Sequence, residues 1–285
     1  MKVEESSPET ATAADSSSGH AADAVKRKSF LNRWYARPLI SGTAVIAFLG
    51  LWQYVGTSGM VNPLFTGYPT GIVSEGIRWF IAGNGWHDLR VTIYELGVGF
   101  GMAILLGIPL GILMGWYRPL NWSLQPFVDV LYVTPRIALL PLIIIWFGIG
   151  SDSKILLVFL SALFPLLIST YAGVRTTDNS LLQVARSFEA SDFQVFRTIV
   201  VPGCVPAIFT GLRLGLGRAL VGVVVGQMFA ANAGVGYTIR VAGNTFQTNL
   251  LLAGVALMAV AGIVGTIVIE KLGSYFDKWR PDYKG

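Results

Sequence analysis

Only a few residues in this chain put a reactive group inside an apolar run. Asp129 and Arg136 flank Val-Leu-Tyr-Val-Thr-Pro, and Arg213, Arg218 and Gln227 interrupt a stretch rich in Gly, Leu and Val. Seven residues make two helical turns, so Asp129 and Arg136 could share one face if Pro135 leaves the register intact. Ions at membrane depth are costly and mark either a solute pathway or a structural pair, and both readings stay open for these two. A buried arginine on a pathway would attract an anion. Gln227 could hydrogen-bond a neighbouring helix or a solute. Arg213 and Arg218 read as early in their segment, where long side chains snorkel to the interface, and Glu95 reads as interfacial.

Enzymatic chemistry finds little support. His20 and His87 lie far apart in polar segments, so a metal cluster is not expected. No His-Glu-x-x-His set is present, and no Gly-x-x-x-x-Gly-Lys-Ser/Thr phosphate loop. Cys204 is the one cysteine, which rules out an internal disulfide. A polar island lies between apolar runs, Ser180 to Pro202. Ser180 with Gln183, and Ser191 with Gln194, fit Ser-x-x-Gln capping boxes and predict two short helices. In the first, Leu181, Val184, Ala185 and Phe188 share a face; in the second, Phe193, Phe196, Ile199 and Val200 do so before Pro202 ends it. Helices so short need a partner surface.

The elements that position these residues follow from composition. The 285 residues are 53% hydrophobic and only 13% charged, against roughly 25% charged in soluble domains, which makes this a membrane protein. The expected fold is all-α and polytopic. Six spans are predicted at about 38–55, 91–116, 124–149, 155–174, 207–231 and 250–273, each near the roughly 20 residues a bilayer needs. Residues 1–37 read as a solvated tail ending in Lys26, Arg27, Lys28, Arg33 and Arg37, and 274–285 as a second tail. The segment 72–81 suggests a helix lying along the membrane surface. Gly107, Gly111 and Gly115, with Gly97 and Gly101, form a small-residue stripe suited to close helix packing within the chain. Pro126, Pro135 and Pro141 should kink or break the third span.

Basic residues set the orientation. Lys2, Lys26, Arg27, Lys28, Arg33, Arg37, Arg118, Arg175, Arg186, Arg197, Lys271, Lys278, Arg280 and Lys284 fall on one side, against Arg78, Arg90, Lys154 and Arg240 on the other. The richer side is cytoplasmic by the positive-inside rule, which places both termini and the 177–202 loop in the cytoplasm. The net charge of +5 is spread over loop ends and forms no nucleic-acid footprint.

With these residues in view, the chain resembles the inner-membrane permease subunits of ATP-binding-cassette importers, in the branch for nitrate, sulfonates and taurine. The family's cytoplasmic loop reads Glu-Ala-Ala, three residues, Gly, then Ile-x-Leu-Pro. Here Gln183-Val184-Ala185 stands at the start, Glu189 at the glycine and Ile199-Val200-Val201-Pro202 at the end. Thr134 to Pro141, Trp146 to Gly150, Tyr171 to Arg175 and Gly211 to Gly215 extend the resemblance from about Pro38 to Pro281.

The resemblance implies a type I importer permease fold in a bacterial inner membrane and a homodimer of this chain. It also implies cytoplasmic ATPase subunits that carry the ATP and Mg, since this chain would hold no cofactor, and an extracytoplasmic solute-binding protein. The ATPase-coupling residues would be Gln183, Val184, Ala185, Arg186, Ser187, Phe188, Glu189, Ala190, Ser191, Asp192 and Phe193, with Asp129, Arg136 and Gln227 as pathway candidates. Gln183 and Glu189 depart from the pattern, and Gln227 stands where many relatives carry Glu. Two rivals remain as alternatives. A secondary transporter would want midplane acids and a repeat of broken helices; a membrane enzyme would want a catalytic cluster.

Overall fold

A computed structural model describes residues 36–277, and all regular structure among them is helical. The chain divides into two compact units, with the division at Pro63. In the first, α1 (Ala36–Thr57) is a single apolar helix of 22 residues, about 33 Å at 1.5 Å per residue and therefore long enough to cross hydrocarbon.

The second unit carries the remaining spans. After the short helical turn α2 (Pro63–Thr66) come α3 (Pro69–Ala82) and α4 (Gly85–Trp116), then α5 (Arg118–Val133). A 3-10 turn, Arg136–Leu139, leads into α6 (Leu140–Phe147), and α7 is Ser151–Arg175. The polar island holds α8 (Asn179–Ser187) and α9 (Asp192–Val195). A π turn, Phe196–Val200, runs into α10 (Val201–Ala230), followed by α11 (Val235–Asn244) and α12 (Thr248–Asp277). Among the described residues five helices are long and apolar enough to span, and a bent pair makes the sixth. That pair is α5 with the 3-10/α6 segment, turned through 87° at Thr134–Pro135. Pro135 denies the ladder an N–H and disfavours helix in the residue before it, so the third predicted span is broken there rather than merely kinked.

Helix α7 lies between α4 and α10, and small residues permit the close approach. A Cβ at Gly99, Gly111 or Gly115 would collide with α7, and Gly107 is nearly as tight. On the other flank Gly211, Gly215 and Gly222 of α10 press on Leu166 and Ser161 of α7. The glycine stripe is therefore an intrachain seam through Gly107, Gly111 and Gly115, as read from the sequence. Gly97 and Gly101 face away from it with open space beside them. The core that results joins Ala103, Val158, Ala162, Leu166, Ala219 and Val223, all wholly buried. Leucine, valine and phenylalanine side chains elsewhere on α4, α5, α10 and α12 point outward, as hydrocarbon solvent allows.

Helix α3 contains the segment 72–81 that the sequence marks as helical, and it packs on α12 and α4. Its N-terminus is pinned where the Tyr68 N–H donates to Asn249 Oδ1 at 3.1 Å, and its Trp79 is buried. Helix α12 continues through Asp277, past the expected end of its span. The expected N-terminal tail, 1–37, falls almost wholly outside the described residues.

Candidate functional site

The island is built from its caps. Asp178, not Ser180, is the N-cap of α8, and its carboxylate accepts the Ser180 N–H at 2.8 Å. That hydrogen bond holds the Asp178 carboxyl below the usual carboxylate range. An aspartate two residues upstream of Ser180 outcompetes it because its carboxylate already meets the orphan donors of the first turn. The second box forms as predicted: Gln194 N–H donates to Ser191 Oγ, and Ser191 N–H donates to Gln194 Oε1 at 2.8 Å.

Between the two helices the chain reverses at Glu189, whose φ is +52°. The Ala190 N–H reaches Ala185 O and the Glu189 N–H reaches Arg186 O, both at 3.0 Å. These two bonds make a Schellman turn, which wants glycine at the residue in the left-handed region. Glu189 stands where the family pattern has Gly, and it holds the conformation that glycine would adopt freely.

The island's apolar residues divide differently from the expected faces. Leu182, Ala185, Ala190, Val195, Phe196 and Val200 pack against Ile112 and Trp116 of α4, Val174 of α7 and Cys204 of α10. The Trp116 and Phe196 rings lie 5.3 Å apart. Leu181, Val184, Phe188 and Phe193 turn outward, and Phe188 is 81% exposed and Phe193 70%. Ala185 thus leaves the face it was grouped with, and Phe193 parts from Phe196. The reason is that α9 is only one turn long and cannot present a full apolar stripe to one side. Nor does Pro202 end the second helix: the π turn absorbs the missing N–H and the chain enters α10. Gln183, Arg186, Ser187, Ser191 and Asp192 are exposed around this outward face. A groove of about 860 Å³ runs alongside, bounded by Asp178, Leu181, Ile199, Pro202 and Phe276.

The in-span charges are distributed unlike the sequence expectation. Asp129 accepts a hydrogen bond from Gln125 Nε2 at 2.8 Å, while Arg136 donates to Tyr132 O at 2.8 Å. They make no ion pair, because the 87° break at Thr134–Pro135 takes Arg136 off the helix that carries Asp129. Arg136 lies over the Phe164 ring at 5.2 Å and the Tyr132 ring at 5.6 Å. Arg213 pairs with Glu270 at 3.2 Å on the exposed side of α10 and α12. Arg218 sits mid-helix, with 17 residues of α10 before it and 12 after.

Glu95 shows the largest departure. It is fully buried, and Lys154 Nζ of α7 lies 3.0 Å from its Oε1. Gln227 Nε2 donates to its other oxygen at 2.8 Å. One helical step along α4, Thr92 Oγ1 accepts the Val235 N–H at 3.0 Å and Gln227 Oε1 accepts the Gly236 N–H at 2.9 Å. Asp88 accepts from the Gly234 N–H, from Thr238 Oγ1 and from Trp79 Nε1. Three side chains from α4 and α10 therefore satisfy the first donors of α11, which has no cap of its own. Glu95 is tolerated in the interior because Lys154 balances its charge and Gln227, which accepts the Gly236 N–H, donates to it. Gln227 falls in this network. The sequence signal was present in Asp88, Thr92 and Glu95 at spacings of four and three, one face of α4, ahead of the Gly234-Val-Gly236 turn.

This fold, with a bent third span and a helical island between two long helices, is that of a polytopic membrane protein. Residues 107–280 match the family described as binding-protein-dependent transport system inner membrane component, and the chain belongs to that family. It is 34% identical over 93% of its length to the putative aliphatic sulfonates transport permease protein SsuC of Bacillus subtilis (strain 168), covering 95% of that protein. It is 32% identical over 84% of its length to the taurine transport system permease protein TauC of Escherichia coli (strain K12), covering 88% of it. Among solved structures, the inward-facing MetNI methionine ABC transporter aligns with a TM-score of 0.60 at 16% identity, over 67% of this chain and 94% of that one. An amino acid ABC transporter solved with histidines aligns at 0.51 and 17%, over 73% of this chain and 95% of that one. These two share the fold.

Proposed function

We propose that this chain is the permease subunit of an ATP-driven importer that carries a small organosulfonate or a similar anion. Two copies would form the translocation pathway, and an extracytoplasmic binding protein would deliver the solute. ATP and Mg would be held by separate cytoplasmic ATPase subunits, with the chain itself needing no cofactor. The observation that carries the substrate class is the identity to a sulfonate permease across nearly the whole chain. Coupling runs through 180–202, where Leu181, Val184, Phe188 and Phe193 offer an apolar face with no partner in the chain's own core. Exposed apolar side chains ringed by Arg186, Glu189 and Asp192 suit a cleft on an ATPase subunit. Both termini lie on the cytoplasmic side with this island.

The test is uptake of labelled taurine and alkanesulfonates by proteoliposomes holding the permease, its ATPase and its binding protein. ATP-dependent accumulation supports the reading; uptake that persists without the ATPase would point to a secondary transporter instead. A second substrate class is kept in the assay because a formylaminopyrimidine transport permease, ThiX of Halalkalibacterium halodurans (strain ATCC BAA-125 / DSM 18197 / FERM 7344 / JCM 9153 / C-125), is 31% identical over 67% of this chain and 77% of its own length. Uptake of a neutral pyrimidine with no sulfonate uptake would overturn the anion assignment.

A further inference from the structure

The break in the third span, within a bent helix pair apolar enough to cross a membrane, opens a cavity of about 370 Å³. Its wall is formed by Tyr132, Thr134, Pro135 and Arg136 on one side and by Ser161, Arg218 and Gly222 on the other. Irregular backbone within a span is tolerated only where protein buries it or a wet cavity meets it, and Thr134–Pro135 is such a stretch. We propose that Arg136 and Arg218 together form an oxyanion-binding site that receives the sulfonate headgroup during transfer, a proposal that rests on the importer reading above.

Four observations carry it. The two guanidinium groups line one cavity, and neither has a carboxylate within ion-pair distance among the described residues. Arg213, five residues before Arg218 on the same helix, does have one, in Glu270. Arg136 is held in place by the Phe164 and Tyr132 rings and by its bond to Tyr132 O, while its Nε is buried without an acceptor. The nearby hydroxyls do not compete as donors: Ser161 Oγ donates to Leu157 O and Thr134 Oγ1 to Val130 O.

Two like charges lining one cavity repel each other, and a small anion between them relieves both. Guanidinium planes match the oxygens of a sulfonate, sulfate or phosphonate group in paired hydrogen bonds, whereas a neutral ligand has no charge to offer. The volume falls in the ordinary range for small-ligand sites and leaves room for a short alkyl or aminoalkyl tail. Gly222 lets α10 pack closely on α7 at the cavity wall, since a Cβ there would meet Ser161 Oγ at 2.9 Å.

The experiment uses the intact permease–ATPase complex in proteoliposomes. Arginines are modified with phenylglyoxal in the presence of millimolar methanesulfonate or of its neutral analogue dimethyl sulfone, and peptides are quantified by mass spectrometry. Methanesulfonate, and not the sulfone, should protect Arg136 and Arg218 while Arg213 reacts equally in both. In parallel, Arg218→Gln and Arg136→Gln should each lower taurine uptake roughly tenfold, the loss of one charged hydrogen bond, with Arg218→Lys in between and the complex still assembled. If the wild type accumulates sulfonates but neither arginine is protected, the site is wrong and the importer reading stands. If both are protected while no sulfonate accumulates, the anion site stands and the substrate reading fails. Equal protection of Arg213 would reduce the effect to general anion screening and overturn the site.

Discussion

Lys154 and Glu95 meet at 3.0 Å across the α4–α7 seam with both side chains sealed from solvent. An isolated charge at this position would cost several kcal/mol, so each residue is tolerable only because the other is there. The pair also fixes Gln227, and through it the start of α11. The packing of α11 therefore depends, at the C-terminal end of α10, on a network that no single residue reveals.

Breaking the pair from one side should be severe. Lys154→Met leaves the Glu95 carboxylate buried and unpaired, at a cost of about 3–5 kcal/mol. The double variant Lys154→Met with Glu95→Leu should recover much of that loss. Thermal unfolding of the purified protein, followed by size-exclusion fluorescence, measures both. A double variant as unstable as the single one would show that Glu95 serves α11 more than it serves Lys154.

Asp88→Ala removes the acceptor for the Gly234 and Thr238 donors and for Trp79. Each buried donor left unmet costs about 1–3 kcal/mol. The loss should localise, with amide exchange rising first across Val235–Asn244 and α3. Uniform exchange along the chain would contradict the capping role.

Glu189→Gly should stabilise the turn between α8 and α9. A non-glycine residue in the left-handed region costs about 1–2 kcal/mol, and the Schellman bonds at Ala190 and Glu189 do not depend on the side chain. Slower exchange at those two amides is the expected result. Glu189→Val, stiff at χ1 and poorly suited to positive φ, should move the other way.

At the start of α8 the sign of a pH effect follows from Asp178. Its carboxyl titrates below the usual range because of the Ser180 N–H, so the cap is fully formed above the ordinary aspartate pKa, about 3.9. Its contribution is lost as pH falls through the lower, folded value. Asp178→Asn keeps a capping oxygen and should abolish this acid dependence, read as α8 amide protection relative to the rest of the chain.

Phe188→Asp and Phe193→Asp test the docking face. Both side chains are largely exposed, so the isolated permease should lose little stability. Co-purification of the ATPase and ATP-driven uptake should both collapse. Intact assembly and transport in Phe188→Asp would exclude Phe188 as a docking contact.

What the sequence determined by itself was whatever depends on local pattern and solvent. Apolar run length fixed the spans to within several residues, since hydrocarbon thickness leaves few alternatives. The Ser191–Gln194 box, the Gly107–Gly111–Gly115 seam and the break near Pro135 are short-range features, and each is found where its spacing places it. The tertiary structure decided what depends on partners from distant helices. It turned Leu181, Val184 and Phe188 outward and Ala185 inward, and it separated Asp129 from Arg136 by bending the chain. It also gathered Asp88, Thr92, Glu95, Lys154 and Gln227 from three helices, and brought Arg218 to Arg136. A charge inside an apolar run announces that it must be compensated; which residue compensates it is settled only when the helices pack.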